Sequence, residues 1–165
     1  MFNIIIPKDD DELYMTENLL FITDFNKDNF TAAYQDEFYQ YWLKLKGNRV
    51  MPSRSDIDPN DMVKYLSRII LADYHIEEDE FTFRLIGTKC MEVGGEIFGK
   101  TIKSDNEMSR FYGRFKWCVD HKKPYFIETD LEVFNKNYIR YSTIVCPLSN
   151  DDQNVNMLIL VSHFF

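Results

Sequence analysis

The sequence predicts an α+β fold: one five-stranded antiparallel sheet with covering helices and an N-terminal helical extension. Three observations carry this prediction. Apolar residues recur at spacings of three and four up to about Ser67 and then at spacings of two. Half of the six glycines, Gly94, Gly95 and Gly99, then break up the middle of the chain. One further helical stretch is followed by three alternating runs with turn-like connectors. A chain of 165 residues that is 45% apolar and 16% aromatic can bury one good core and is short for two. The expected organisation is an extension over residues 1–30 and one domain over 31–165.

Taken in order, residues 1–30 combine an acidic run, Asp9 to Glu12, with an apolar patch, Leu19 to Phe25, and show no clean period. They are read as a terminal extension lying over the rest of the fold. Phe30, Tyr34, Phe38, Tyr41, Trp42 and Leu45 then share a helical face that Gly47 closes as a C-cap. The connector "MPSRSDIDP", Met51 to Pro59, is held extended at its start because Pro52 biases Met51 away from helix. Its second half is a helix-initiation signal, with Asp58 as N-cap, Pro59 at the first helical position, Asp61 in the first turn, and Ile57 with Met62 as a hydrophobic staple.

A short helix from Pro59 to about Ser67 leads into two strands, Arg68 to Ile76 and Phe81 to Gly87, joined by the acidic turn Glu77 to Glu80. Short helical turns and loops fit the glycine-punctuated segment. Met108, Phe111, Tyr112, Phe115, Cys118 and Val119 mark a long helix from Met108 to about Lys122, which stops before Pro124. Three strands finish the chain, Tyr125 to Phe134, Tyr138 to Leu148 and Val155 to Phe164, with "NKN" and "SNDDQN" as their turns.

Charge and composition exclude several function classes. Nineteen Lys and Arg against 27 Asp and Glu give a net charge of −8, which opposes phosphate-backbone binding, so no nucleic-acid partner is expected. "MFNIII" followed by "PKDDDE" lacks the parts of a signal peptide, and no apolar run approaches the roughly 20 residues of a membrane span. A soluble, cytoplasmic protein without a membrane partner is expected. Cys90, Cys118 and Cys146 are far apart without C-x-x-C pairing and read as reduced thiols, and no metal site is expected.

Two strands, a glycine-rich stretch of short helices, a long helix and three closing strands follow the element order of the PAS sensory fold. "RLIGTKCMEVGGEIFGKTI", Arg84 to Ile102, resembles the PAS segment in which a strand ends in Gly-Thr and short helices lead to a glycine before a basic residue. "YWLKLKGNRVMPSRSDIDPNDMVKYLSRIIL", Tyr41 to Leu71, resembles the start of a bacterial PAS subfamily with a Trp-containing helix and a Pro-Ser-Arg-x-x-Ile-Asp-Pro connector. The resemblance covers residues 30–165. It assigns a structural role to Trp42, Pro52, Arg54, Asp58, Pro59, Gly87 and Gly99, with Arg54 reaching Asp56, Asp58 or a core carbonyl through its planar fork of donors.

PAS domains generally hold a small ligand, or nothing detectable, between sheet and helices and pass a change to a partner. Here the helix face Phe111, Phe115 and Cys118 is expected to look onto Leu85, Tyr141, Thr143 and Ile159, apolar walls with a few polar groups. The same residues also suit a filled core. No cofactor is predicted beyond an unidentified small molecule. The Asn-Cys-Arg-Phe-type helix of flavin-photoadduct members does not occur, and Cys90 stands before that position in a different context. Haem-binding members use a histidine on the long helix; His121, in the last turn beside Lys122 and Lys123, reads instead as an exposed C-terminal residue.

Enzymatic activity is not expected. Cys118 and His121 stand three apart on a helix, but nothing supplies an orienting third group or an oxyanion site. Glu128, Asp130 and Glu132 alternate with Ile127, Thr129 and Leu131 and form one polar strand face, while His75 and His163 read as satisfied strand side chains. With the chain ending at the last strand, the expected function is a stand-alone sensory or adaptor protein. It binds a signalling partner or forms a homodimer, through the acidic extension or an exposed sheet face. The alternatives are a purely interacting module with a filled core and, behind it, a small α+β enzyme.

Overall fold

The computed structural model describes residues 13–16, 19–131 and 139–165. Helix α1 is Ala33–Lys46. Gln35 Oε1 turns back to accept from the backbone N–H groups of Thr31 and Ala32, and Gly47 (φ 55°) ends the helix by donating to Leu43 O. The connector follows, with a single 3₁₀ turn at Arg54–Asp56, and then a 3₁₀ helix at Pro59–Arg68. Asp58 Oδ1 caps it on Asn60 N at 3.0 Å. The start was readable, but the helix type was not: Met62 and Tyr65 have non-helical dihedrals, turning both side chains inward to be buried.

The seven strands are β1 Leu13–Thr16, β2 Leu19–Ile22, β3 Ile69–His75, β4 Glu80–Ile86, β5 Tyr125–Asp130, β6 Arg140–Leu148 and β7 Met157–Phe164. They form one antiparallel sheet in the order β1-β2-β5-β6-β7-β3-β4. All five expected strands are present, and the sheet is two strands wider than expected. The extra hairpin comes from the N-terminal extension, whose apolar patch pairs β2 with β5 instead of lying over the fold. Four residues of uninterrupted apolar sequence show no period, so only the partner strand reveals the pairing. Phe21 seals the junction, stacked on Tyr125 at 4.7 Å and edge-on to Trp117 at 5.6 Å.

Helix α2 (Thr88–Gly94), a 3₁₀ turn at Gly95–Gly99 and helix α3 (Ser109–His121) cover one face of the sheet. Helix α1 and the Pro59–Arg68 helix lie against β6 and β7 on the other. The expected open sheet face is therefore corrected. From Tyr141 to Leu148 every β6 residue is buried, on both faces, because the chain uses its own leading helices as a second layer. A bulge interrupts β4: Leu71 pairs with Leu85 and Ala72 with Phe83, leaving Arg84 as the extra residue.

The acidic run 9–12, Glu132 and the "NKN" turn lie outside the described residues. Among the described residues, no helix is long and apolar enough to cross a membrane.

Candidate functional site

Between the sheet and helix α3 lies a cavity of about 50 Å³. Strand alternation builds its floor: Tyr141 and Thr143 on β6 face the same way as their cross-strand partners Phe164 and Ser162 on β7. Helix α3 supplies the roof with Phe111 and Phe115, one turn apart, and Phe83 on β4 meets Phe98 edge-on at 4.9 Å along the side. Ile70, Ile97, Leu131 and Leu160 complete an apolar lining.

Three of the lining residues carry hydroxyls, each bonded to a partner within the protein. Ser162 Oγ donates to Thr143 Oγ1 at 3.0 Å, and Thr143 Oγ1 donates to Val161 O at 2.9 Å, so both protons are used within the sheet. Tyr141 OH accepts from Arg114 Nη1 at 3.4 Å. Burial pushes the Tyr141 phenol above its ordinary value although Arg114 acts in the other direction, so it is neutral at physiological pH. Arg114 itself, on α3, is only 6% exposed, and its Nε–H has no hydrogen-bond partner among the described residues.

Of the seven residues expected around a pocket, Phe111, Phe115, Tyr141 and Thr143 come together here. Cys118 lies further along α3, wholly buried, and is not among the lining residues; burial pushes its thiol well above the ordinary range. Leu85 and Ile159 are on the other face, in a groove with Arg54, Ile57, Pro59, Met62 and Leu71. Each has a physical reason. The bulge at Arg84 reverses the parity of Leu85 relative to Phe83. Strand β7 is buried on both sides over Met157–Ser162, so its apolar run carries no alternation to place Ile159.

Phe83, Ser162, Phe164 and Arg114 were missed. Ser162 and Phe164 follow once Thr143 and Tyr141 are paired across the register. Arg114 carried its own signal, a cation three residues from Phe111 and four from Cys118 on an apolar helix face.

The connector residues hold the second layer in place. Trp42 Nε1 donates to Pro147 O at 3.1 Å, and the buried Pro52 offers its carbonyl to Ser149 N at 2.9 Å. Arg54 Nη1 lies 3.4 Å from Ile57 O. Asp56 is taken instead by Arg49 at 2.8 Å and by Ser53 N at 2.8 Å. The backbone Ser53 bond leads, with Arg49 adding, in holding the Asp56 carboxyl below its usual range despite desolvation. Asp58 is the N-cap of the 3₁₀ helix and Pro59 its first residue. Gly87 N donates to Ile69 O at 2.7 Å, an approach that leaves no space for a side chain. Around Gly99 nothing lies within reach of an added methyl.

Several chemistries can be placed against these positions. His121 stacks on Trp117 at 4.3 Å with Nδ1 2.9 Å from Trp117 O, outside the cavity lining. Cys90 is fully buried, its thiol pushed up to about 12 by desolvation. Glu128 and Asp130 both pair with Arg140, at 3.1 and 3.2 Å. His75 meets Thr82 Oγ1 at 2.7 Å and His163 meets Thr31 Oγ1 at 2.8 Å. Among the described residues no group of three or more His, Cys, Asp or Glu is placed to hold a metal ion.

Comparison with curated proteins and with solved structures gives no significant match. A family model for the PAS domain matches residues 30–158, a span that takes in α1, the connector, α2, α3 and most of the sheet. On that match the chain belongs to the PAS domain family, which makes it a sensory or interaction module.

Proposed function

We propose that this PAS domain is a sensor that holds a compact, largely apolar small molecule between the sheet and helix α3, and that occupancy is passed to a partner protein or a second copy of the chain. One observation carries the reading: aromatic and aliphatic side chains from both layers enclose an apolar space of about 50 Å³. Apolar walls from two layers give a small apolar molecule burial. The "PSRSDIDP" connector supports placement in the bacterial subfamily with a Trp-containing leading helix.

Native mass spectrometry of gently purified protein, with the absorption spectrum of the same sample, tests this. The expected result is a mass increment from a bound molecule that Thr143→Leu, which fills the cavity, abolishes. A bare chain mass in both proteins, with nothing extractable by organic solvent, would sink the ligand reading. A flavin or Soret band would identify a chromophore and correct the chemical class.

A second reading, a module that only makes protein contacts, is favoured by the groove on the other face. There Leu66 and Leu85, 37% and 42% exposed, stand over Ile57 and Met62. Light scattering of the wild type and of Leu85→Asp separates the two readings. Self-association lost in the variant, with no bound molecule, favours the contact module.

A further inference from the structure

A cleft of about 250 Å³ opens where the ends of α1 and α3 meet the sheet, and it shares no described lining residue with the cavity under α3. Strand register sets it up. Ile22 at the end of β2 pairs with Phe126 near the start of β5, so Thr23–Phe25 leave the sheet beside Lys122 and Lys123, which lead into it. Helix α1 faces them with Tyr39, Trp42, Leu43 and Lys46, at spacings that share one side of the helix. The Phe25 and Tyr39 rings lie 4.9 Å apart and Tyr39 is stacked on Trp42 at 6.4 Å, so one wall is aromatic.

Charge in the cleft runs against the charge of the chain. The chain carries −8 overall, yet the described lining residues set Lys46, Lys122 and Lys123 against the single carboxylate of Asp24. Lys46 Nζ lies 3.4 Å from Gly47 O, and Lys122 and Lys123 are exposed. Cations at the ends of α1 and α3 answer the helix dipoles, but two further features need another reason. Lys122 stands in the left-handed region, at φ 56°, in a cap position where glycine is the ordinary residue. In the same cleft Leu43 and Val50 stay 36% and 46% exposed, and Phe25 and Tyr39 are only half-buried. Backbone strain and open apolar surface are features that a binding site keeps at the expense of stability.

We infer that this cleft is a second binding site and takes a single-ring aromatic acid, its ring on Phe25 and Tyr39 with Leu43 and Val50 at the edge, its carboxylate among the three lysines. Occupancy here needs nothing from the cavity under α3, so the site goes beyond the sensor reading. Size sets the number of rings. A cavity of roughly 150 Å³ holds benzene; in proportion, about 250 Å³ holds about ten non-hydrogen atoms, one ring with a short carboxylate arm. Lysine ammonium groups are point charges on flexible stems, so they can gather round such an arm without a fixed fork geometry.

The test is an NMR titration of the full chain, at constant ionic strength, with sodium phenylacetate, phenylacetamide or sodium acetate. Phenylacetate is expected to move the Trp42 indole N–H and the Lys122 and Lys123 amide resonances saturably, while those of Tyr141 and Thr143 at the other cavity stay in place. Phenylacetamide, with the ring and no charge, and acetate, with the charge and no ring, should each bind about tenfold more weakly. Lys122→Gly supplies the residue that the left-handed cap prefers, so it should hold or raise Tm while weakening phenylacetate about threefold. A lysine kept only as a helix cap would not couple to binding.

Equal affinity for phenylacetamide would overturn the acid, and equal affinity for acetate would overturn the ring. Shifts at Tyr141 and Thr143 in place of Trp42 would move the ligand to the cavity under α3 and overturn this site, as would a Trp42 indole resonance that stays fixed throughout the titration. Unchanged phenylacetate affinity in Lys122→Gly would overturn the part given to the lysines. The sensor reading would still stand or fall by the mass of what the protein carries.

Discussion

At Gly87 the chain passes so close to Ser67 that an added Cβ would collide with its carbonyl, although the backbone φ is one that any residue adopts. The glycine is required by space, not by conformation. Gly87→Ala is expected to cost about 3 kcal/mol, against less than about 0.5 kcal/mol for Gly99→Ala, where nothing lies nearby; urea unfolding of the two variants makes the comparison. His163 offers a pH test at the same scale. Desolvation, with the Arg68 guanidinium adding, holds it below its ordinary value, while Thr31 engages its Nδ1. A depressed folded pKa means that the unfolded chain takes up the proton first as pH falls. The His163 contribution is thus complete above about pH 6.5 and is lost as pH falls through the lower folded value. Urea midpoints between pH 8 and 5 should fall in the wild type, with a shallower slope in His163→Gln.

Helix α1 is an example of an element that the sequence declares and then uses in a way it does not declare. Its bounds followed from apolar spacing and Gly47, yet nothing local says that Trp42 will reach across to Pro147 and close a second layer. Trp42→Phe keeps the aromatic bulk but leaves that buried carbonyl without its donor, and a loss of about 1–3 kcal/mol is expected in the same unfolding assay. The hairpin of β3 and β4 tells a similar story. Its acidic turn was legible as a turn, but Asp79, at φ 52°, also receives the hydroxyls of Tyr112 at 2.6 Å and Tyr74 at 2.8 Å and so ties the turn to α3. Burial alone would raise that carboxyl; the two tyrosines and Lys116 outweigh it and hold it below the usual range. Strong periods and caps were readable because they are local. The β2–β5 pairing, the parity change at Arg84 and the face of Ile159 depend on a partner distant in sequence, and local pattern is silent about partners. So the roof of the cavity was legible from α3 alone, while its floor was only half legible.

For the whole molecule, the two strands added by residues 13–22 decide where the sheet stops. Without them β5, with Tyr125, Phe126 and Ile127 all buried, would become the edge, an apolar template for pairing with another chain. A chain beginning at Thr23 is expected to self-associate at concentrations where the full chain keeps a constant mass, as light scattering after gel filtration would record. The same sheet separates two worlds by the thickness of one peptide. Thr143 faces the cavity, and its neighbour Ser142 faces the far layer, where it holds Gln35 Nε2 at 2.9 Å and Thr31 Oγ1 at 2.5 Å. Such a sheet behaves as a drumhead: a push from one side is felt on the other without any hinge. Thr143→Leu should therefore change amide hydrogen exchange at Thr31 and Ala32, whose N–H groups rest on Gln35 Oε1. The message of an occupied cavity would then emerge at the start of α1, on the opposite side of the protein from where it was received.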